Sequence, residues 1–344
     1  MKYQVYTFLY FTEFQHIYNV NHNQNIMNIL KFIQQFPNEA SCIAYLKEQK
    51  EQSGIVCKRC GCKDRIWCPA KLSFKCRHCH SRQSLCSGGV MEHSKLPFHY
   101  WIAAMFLLTS IKKSFSTEEL RRQLGHKCYQ SIWEMVCKLR DVMGKRDDRH
   151  QLTAQVELDE GFFYIELPEE EKDKPLKRER GSQKKAKVLV MVKSSSSEKA
   201  PKKGRSSKTV RHLKMQVISN LESEAITKIV KEQLETSVEL TTDDSTSYIK
   251  FNEQVQSHQT VKADKNIIKT FLPWVHIAIS NARRLLLGIH YKLKNEYFQY
   301  YLNEFCYKFN RRYLGEKIFD GLVAVAITYN TDFKSRTYNR TLCE

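Results

Sequence analysis

The stretch Gln155-Val156-Glu157-Leu158-Asp159-Glu160-Gly161-Phe162-Phe163-Tyr164-Ile165 opens with strict alternation of apolar and acidic residues. Residues two apart on a strand share a face, so Glu157 and Asp159 project together and Glu160 projects to the opposite side if the strand is regular. Carboxylates disfavour strands and cost free energy when buried near one another. A strand that carries two on one face therefore either holds a cation or is an edge strand with its acids in water. The segment alone leaves both readings open, and the rest of the chain has to separate them.

Downstream, the chain supplies more strands before it supplies a long helix. Residues 186–192 are an apolar β-type run, 212–219 alternate as a further strand, and 222–234 show helical spacing at Ile226, Ile229, Val230 and Leu234. Val238-Glu239-Leu240-Thr241-Thr242 reads as a strand that runs into Asp243-Asp244, an acidic strand end. Three strands, a helix and a strand predict a mixed sheet with acids at strand ends. Leu272-Pro273-Trp274 then breaks the chain before a helix in which Ile279, Ala282, Leu286 and Ile289 recur on one face, with Asn281 and Arg284 beside them. Another helix is expected over 297–312.

The 344 residues exceed one typical core, so two or three domains are expected. The formal charge is +19 and the isoelectric point about 9.3, which suggests a polyanionic partner, most simply nucleic acid. Residues 172–214 carry 16 Lys/Arg against 3 Asp/Glu and so hold +13 of that charge. Their flanks read as loops suited to DNA-backbone contact. No apolar run reaches 18 residues and the N-terminus lacks signal-peptide features, so the chain reads as cytosolic with no membrane partner. Twelve cysteines in such a chain point to metal rather than to disulfides.

Upstream of the acidic strand, Cys57-x2-Cys60 and Cys76-x2-Cys79 are separated by fifteen residues, the spacing of a four-cysteine zinc ribbon. A closed site of that kind folds or binds rather than catalyses. Lys58, Arg59, Lys63, Arg65, Lys71, Lys75, Arg77 and Arg82 give it a basic surface. Before it, Ile29-Leu30, Ile33 and Phe36 predict a short helix broken at Pro37, and Asn38 caps a second running to about residue 50. After it, 96–111 reads as a buried helix. Ser116 or Thr117 caps a helix that ends at Leu124-Gly125, and a further helix runs over 129–143. This is a helix-turn-helix pattern.

Asp159 on the first strand, Asp243 after the fourth and an oxygen ligand on the following helix suit two Mg2+ ions roughly 3.5–4 Å apart. With these residues assembled, the chain resembles the DDE-type transposases of bacterial insertion sequences that carry an N-terminal zinc ribbon, the group related to the Merlin transposons. The resemblance rests on Cys57-x2-Cys60-Gly61 with Cys76-x2-Cys79, on Val156-Glu157-Leu158-Asp159-Glu160, and on Thr242-Asp243 with Tyr248. It also rests on Trp274-Val275-His276-Ile277-Ala278-Ile279-Ser280-Asn281 and on Asn303-Glu304-Phe305-Cys306-Tyr307-Lys308-Phe309-Asn310-Arg311-Arg312.

The resemblance implies an RNase-H-like α/β core, a mixed sheet flanked by helices, preceded by a zinc ribbon and a helix-turn-helix-like region. It implies structural Zn2+ on Cys57, Cys60, Cys76 and Cys79, and two catalytic Mg2+ or Mn2+ on Asp159, Asp243 and Asn281. Glu157 would stand behind the ligands, and Arg284 would steady a DNA phosphate. The implied activity is cleavage of element ends and their transfer to target DNA by a homo-oligomer in the nucleoid-bearing cytoplasm. Where members of the wider group carry Glu, this chain has Asn281, whose amide oxygen coordinates without charge. Glu296 and Glu304 are weaker candidates for the same role. An inactive DNA-binding relic or regulator, and a nuclease of the same fold, are the competing readings.

The expected domains are an N-terminal extension over 1–26, a helical lead-in with zinc ribbon over 27–90 and a helix-turn-helix-like region over 91–150. A catalytic domain over 151–328 then contains a basic insertion over 170–214, and a tail covers 329–344.

Overall fold

A computed structural model describes residues 27–167, 175, 182–196, 208–245, 248, 251, 254–261, 271–290, 293–315 and 317–334. The expected extension over 1–26, most of the tail, and the flanks of the basic insertion lie outside the described residues.

The first core is helical. Helices α1 (Ile29–Gln35) and α2 (Glu39–Gln52) form where expected. The Asn28 side chain accepts from the Lys31 N–H, and Asn38 and Ser41 make a reciprocal capping box around the break at Pro37. The apolar run becomes α3 (Phe98–Ser110), whose first N–H groups, those of Phe98 and His99, are taken by the two oxygens of Glu39 at 2.7 and 2.8 Å. Helix α4 (Thr117–Gln123), capped by Ser116, and helix α5 (Tyr129–Asp148) form the expected helix-turn-helix pair. Between α2 and α3 lies a three-stranded antiparallel sheet of β1 (Arg65–Cys68), β2 (Ser73–Cys76) and β3 (Arg82–Ser84). Phe74 of β2 anchors it to the helical core.

The second unit is a five-stranded sheet of β4 (Gln155–Tyr164), β5 (Lys185–Ser196), β6 (Lys208–Ile218), β7 (Glu239–Asp243) and β8 (Ser257–Val261), in the order β6-β5-β4-β7-β8. The first three strands run as an antiparallel meander; β7 lies parallel to β4, and β8 parallel to β7. Helix α6 (Ser223–Gln233) covers one face through Ile226 and Val230, against Val156, Leu158, Leu189, Met191 and Leu240. Helices α7 (Pro273–Ile289) and α8 (Asn295–Asn310) cover the other, setting Val275, Ile279, Ala282, Phe298, Leu302 and Phe305 on Val188, Val190, Val192 and Leu213. This is the mixed sheet flanked by helices that the sequence predicts.

Two features differ from the sequence reading. Much of the basic 170–214 stretch is not an insertion: β5 is the strand beside β4, and β6 is the outer strand, with their lysines on a folded sheet. Helix α9 (Lys317–Thr328) follows the sheet domain in the chain yet packs in the first core. Its Phe319 ring lies 6.1–6.4 Å from Phe32, Phe36 and Phe106.

Helix α8 belongs to both units. Toward the sheet, Gln299 accepts from Val217 N–H and donates to Met215 C=O, and Asn310 does the same for the two backbone groups of Leu213. These side chains close the outer edge of β6, which would otherwise offer unpaired backbone groups to another strand. Toward the first unit, α8 crosses α5 at Gly144, where an added Cβ would stand 2.3 Å from Asn303. Any larger side chain would have to displace the Asn303 amide. Beside that crossing Arg140 of α5, fully buried, donates to Glu304 of α8 at 2.7 Å, and Arg311 pairs with Asp147 at 2.7 Å.

Candidate metal centres

The parallel register of β4 and β7 pairs Gln155 with Glu239, Val156 with Leu240 and Glu157 with Thr241. Continued for two residues it sets Asp159 beside Asp243, the last residue of β7, at the carboxyl end of a strand where open α/β sheets place their ligands. Oxygens of Asp159, Glu160 and Asp243 all lie within 4.8 Å of one another. The two aspartates singled out from the sequence therefore meet.

Glu160, which strand alternation assigns to the opposite face, joins them because β7 stops at Asp243. Beyond that point β4 has no strand on this side, so its side chains from both faces reach the same crevice. Asp159 also accepts a hydrogen bond from the Glu160 backbone N–H at 2.7 Å. The fully buried Tyr248 sets its phenol against Glu160. Burial, followed by the Glu160, Asp159 and Asp243 charges, raises its pKa above the ordinary phenol value, so it stays protonated.

Glu157 shares a strand face with Asp159 but binds protein. Its carboxylate accepts the backbone N–H groups of Trp274 at 2.9 Å and Val275 at 3.1 Å, the free donors at the start of α7 just after Pro273. An anion at a helix N-terminus satisfies those donors and the helix dipole together. From this anchor α7 runs along β4: His276 Nδ1 stands 3.8 Å from Asp159 Oδ2, and Arg283 Nε donates to Phe162 C=O at 3.0 Å.

Asn281 lies five residues beyond His276, about 140° further around the helix. Its amide oxygen accepts from Arg284 at 2.5 Å. The flank of α7 that meets Asp159 is thus the one bearing His276, a residue that the sequence reading quoted in its motif without a role. Glu304 is held by Arg140, Lys308 and Ser114 in the interior between α8 and the first unit.

The sulfurs of Cys57, Cys60, Cys76 and Cys79 also lie within 4.8 Å of one another, with 3.5 Å between Cys57 and Cys79 and 3.6 Å between Cys60 and Cys76. A tetrahedral zinc with bonds of about 2.3 Å requires sulfur–sulfur edges of about 3.8 Å, so the donor set and its spacing fit that ion. Each pair sits in the same turn. Gly61 N–H donates to Cys57 C=O and His80 N–H to Cys76 C=O, while Cys57 and Cys76 N–H groups donate to Cys62 and Ser81 C=O. Gly61 and His80 both take positive φ, 72° and 57°. The Ser81 hydroxyl lies 3.0 Å from Cys57 and 3.2 Å from Cys79 and draws both thiols below their ordinary value, Cys57 to about 5. Cys62, Cys68 and Cys86 are outside the cluster, and the described cysteines are all free of disulfides.

The second helix of the helix-turn-helix pair is enclosed. From Met135 onward α5 is buried among both units, through Val136, Leu139, Val142 and Met143, and Tyr129 in its first turn is 46% exposed. Among the described residues no helix is long and apolar enough to cross a membrane.

No curated protein matches the chain. Among solved structures, a pre-cleavage Mos1 transpososome aligns at 11% identity over 71% of this chain and 82% of that one, with a TM-score of 0.24, too loose an overlap to bear on the argument. Residues 151–310, which span the whole sheet and helices α6, α7 and α8, match the model of the ISXO2-like transposase domain.

Proposed function

We propose that the protein binds the ends of its own insertion sequence as a homo-oligomer and cuts and joins DNA strands there, with Asp159 and Asp243 as metal ligands. The observation that carries this reading is the meeting of those two aspartates at the end of β7 inside a transposase-family domain. Hard oxygen donors in this arrangement suit Mg2+ or Mn2+, which would supply an activated water and neutralise the leaving oxygen. Glu157 keeps α7 in place over the ligands. The four cysteines hold a structural zinc, and the lysines and arginines around them meet the phosphate backbone. For the helix-turn-helix pair, contact with DNA falls to the exposed first turn of α5.

The test uses a duplex made from the inverted repeats that flank the reading frame. Asp159→Asn and Asp243→Asn should retain binding and abolish Mg2+-dependent nicking. Nicking that survives in either variant overturns the assignment. Binding with no nicking in the unaltered protein, under Mg2+ and Mn2+ alike, supports the inactive-regulator reading. Nicking without strand joining supports a nuclease.

A further inference from the structure

Two helices from different units each turn a pair of aromatic rings, one helical turn apart, toward the same space. Tyr129 and Trp133 do so from the start of α5, Tyr297 and Tyr301 from the start of α8. Between them lies a cavity of about 230 Å³, also lined by Glu166 just beyond β4. Packed interiors keep few voids larger than a water molecule, so rings that border this much space are not filling a core. The volume falls below the roughly 300 Å³ at which pockets for drug-sized ligands begin, and it suits one flat ring system.

The rings are set in place by protein contacts. Trp133 meets Tyr297 edge to face at 4.7 Å, and Phe333 backs both at 5.6 and 6.4 Å. Tyr301 lies under the Arg140 guanidinium at 4.1 Å, and Glu304 pins that guanidinium in turn. Tyr129 is 46% exposed, and Lys294, which also lines the cavity, is exposed as well. Glu166 N–H donates to Leu293 C=O at 2.8 Å, while among the described residues its carboxylate makes no hydrogen bond or ion pair. Gln130 donates an amide N–H to Glu134 at 3.1 Å and keeps its amide oxygen as an acceptor.

Aromatic walls, acceptors at the edge and a cation at the mouth are the features that hold a nucleobase out of its stack, with the lysine on its phosphate. The chain's charge of +19 favours nucleic acid over other flat ligands. We propose that this cavity receives one unstacked base of the element-end DNA, with Tyr129 stacking on it and Glu166 accepting from its Watson–Crick edge. Stacking on the rings offsets the loss of stacking in the duplex. A carboxylate at that edge selects the amino-bearing bases, because thymine offers it one N–H between two carbonyls that repel it. The proposal rests on the reading that the protein binds the ends of its own element.

Zinc-loaded full-length protein titrated by fluorescence anisotropy against the inverted-repeat duplex, and against a set with single abasic sites, tests this. At one position an abasic site should weaken binding about tenfold, and an abasic site opposite the same base, which leaves it unpaired, should tighten binding about tenfold. Tyr129→Ala should lose about tenfold on the intact duplex and nothing further on the duplex that lacks the base, because ring and base act only together. With each of the four bases set opposite the abasic site, thymine should bind about tenfold below the others, and Glu166→Gln should level them. If the unaltered protein binds the repeat no better than a scrambled duplex, the element-end reading fails and the proposal with it. If it prefers the repeat and no position responds, element-end binding stands and the base pocket is overturned. A loss in Tyr129→Ala as large on the abasic duplex as on the intact one overturns it as well. Should Tyr129→Ala lose its thermal transition, Glu166→Gln carries the test, and an unchanged ranking of the bases overturns the proposal.

Discussion

The cysteine cluster and the carboxylate cluster gather cation ligands in opposite ways. The cysteines come from two short turns, each with its pair three residues apart, on a small three-stranded sheet. Its backbone ladders, the Phe74–Trp67 contact, the Arg65–Gln83 hydrogen bond and the turns hold that sheet together. The carboxylates come from β4 and β7, with Asp159 and Asp243 84 positions apart, on a sheet with apolar packing on both faces. The first site is local, its four sulfurs gathered by two turns. The second is assembled by the fold.

Removal of the proposed zinc should have the largest effect. Chelation, or Cys57→Ser, should melt β1–β3 and leave β4–β6 intact, since zinc binding in small modules amounts to about 10 kcal/mol or more of folding free energy. Hydrogen exchange reads both: amides over 57–87 should lose protection while those of β5 keep it. Joint loss would mean that the sheet also leans on the ribbon.

A second break targets the joint between the two units. Glu304→Ala strands a fully buried Arg140 and should cost about 3–5 kcal/mol in urea unfolding. The same pair should mark the acid limit of the fold. Burial raises the Glu304 carboxyl, but Lys308 and Arg140 outweigh it and hold the pKa down to about 2, against an ordinary 4.5. A depressed carboxyl contributes stability above its unfolded value and loses it as pH falls. The gap between the unaltered protein and Glu304→Gln should therefore be complete above pH 4.5 and close as pH drops toward 2.

Smaller effects sharpen the contrast. Glu157→Gln removes the anion from the start of α7 and should cost about 1–2 kcal/mol in the sheet unit, with no change in bound zinc. Asn38→Ala should cost about 1 kcal/mol, by loss of one capping box in the first unit. Denaturation followed by a probe in each unit separates the two.

The local site was legible because its information is local. Cys57, Cys60, Cys76 and Cys79 were assigned from spacing alone, and the structure brings their sulfurs together. Asp159 and Asp243 were legible through strand pattern and family motif. Glu160 was not, because alternation describes a strand that stays paired on both sides, and β4 loses its β7 neighbour at this point. Strand β8 escaped notice because Ser257-His258-Gln259-Thr260-Val261 has no apolar face, being an outer strand with mostly exposed side chains. Helix α9 was recognised by nothing in its pattern as a partner of α1 and α3, since an apolar face states that a helix is buried and not against what. The quoted Asn310-Arg311-Arg312 motif proved to be joinery: Asn310 closes β6, and Arg311 ties α8 to α5.

The place of α9 has a consequence for how the chain matures. Phe319, Leu322, Val323 and Ala326 complete a core whose other walls come from residues 32–143 and from Tyr307 of α8. A growing chain has made all of β4–β8 before those side chains exist, so the sheet unit can close first while the helices ahead of it wait. The first core cannot be completed until the sheet unit has been synthesised. A product that stops after α8 would carry the acidic centre on a finished sheet, but its helical unit would present an open apolar face to chaperones and proteases.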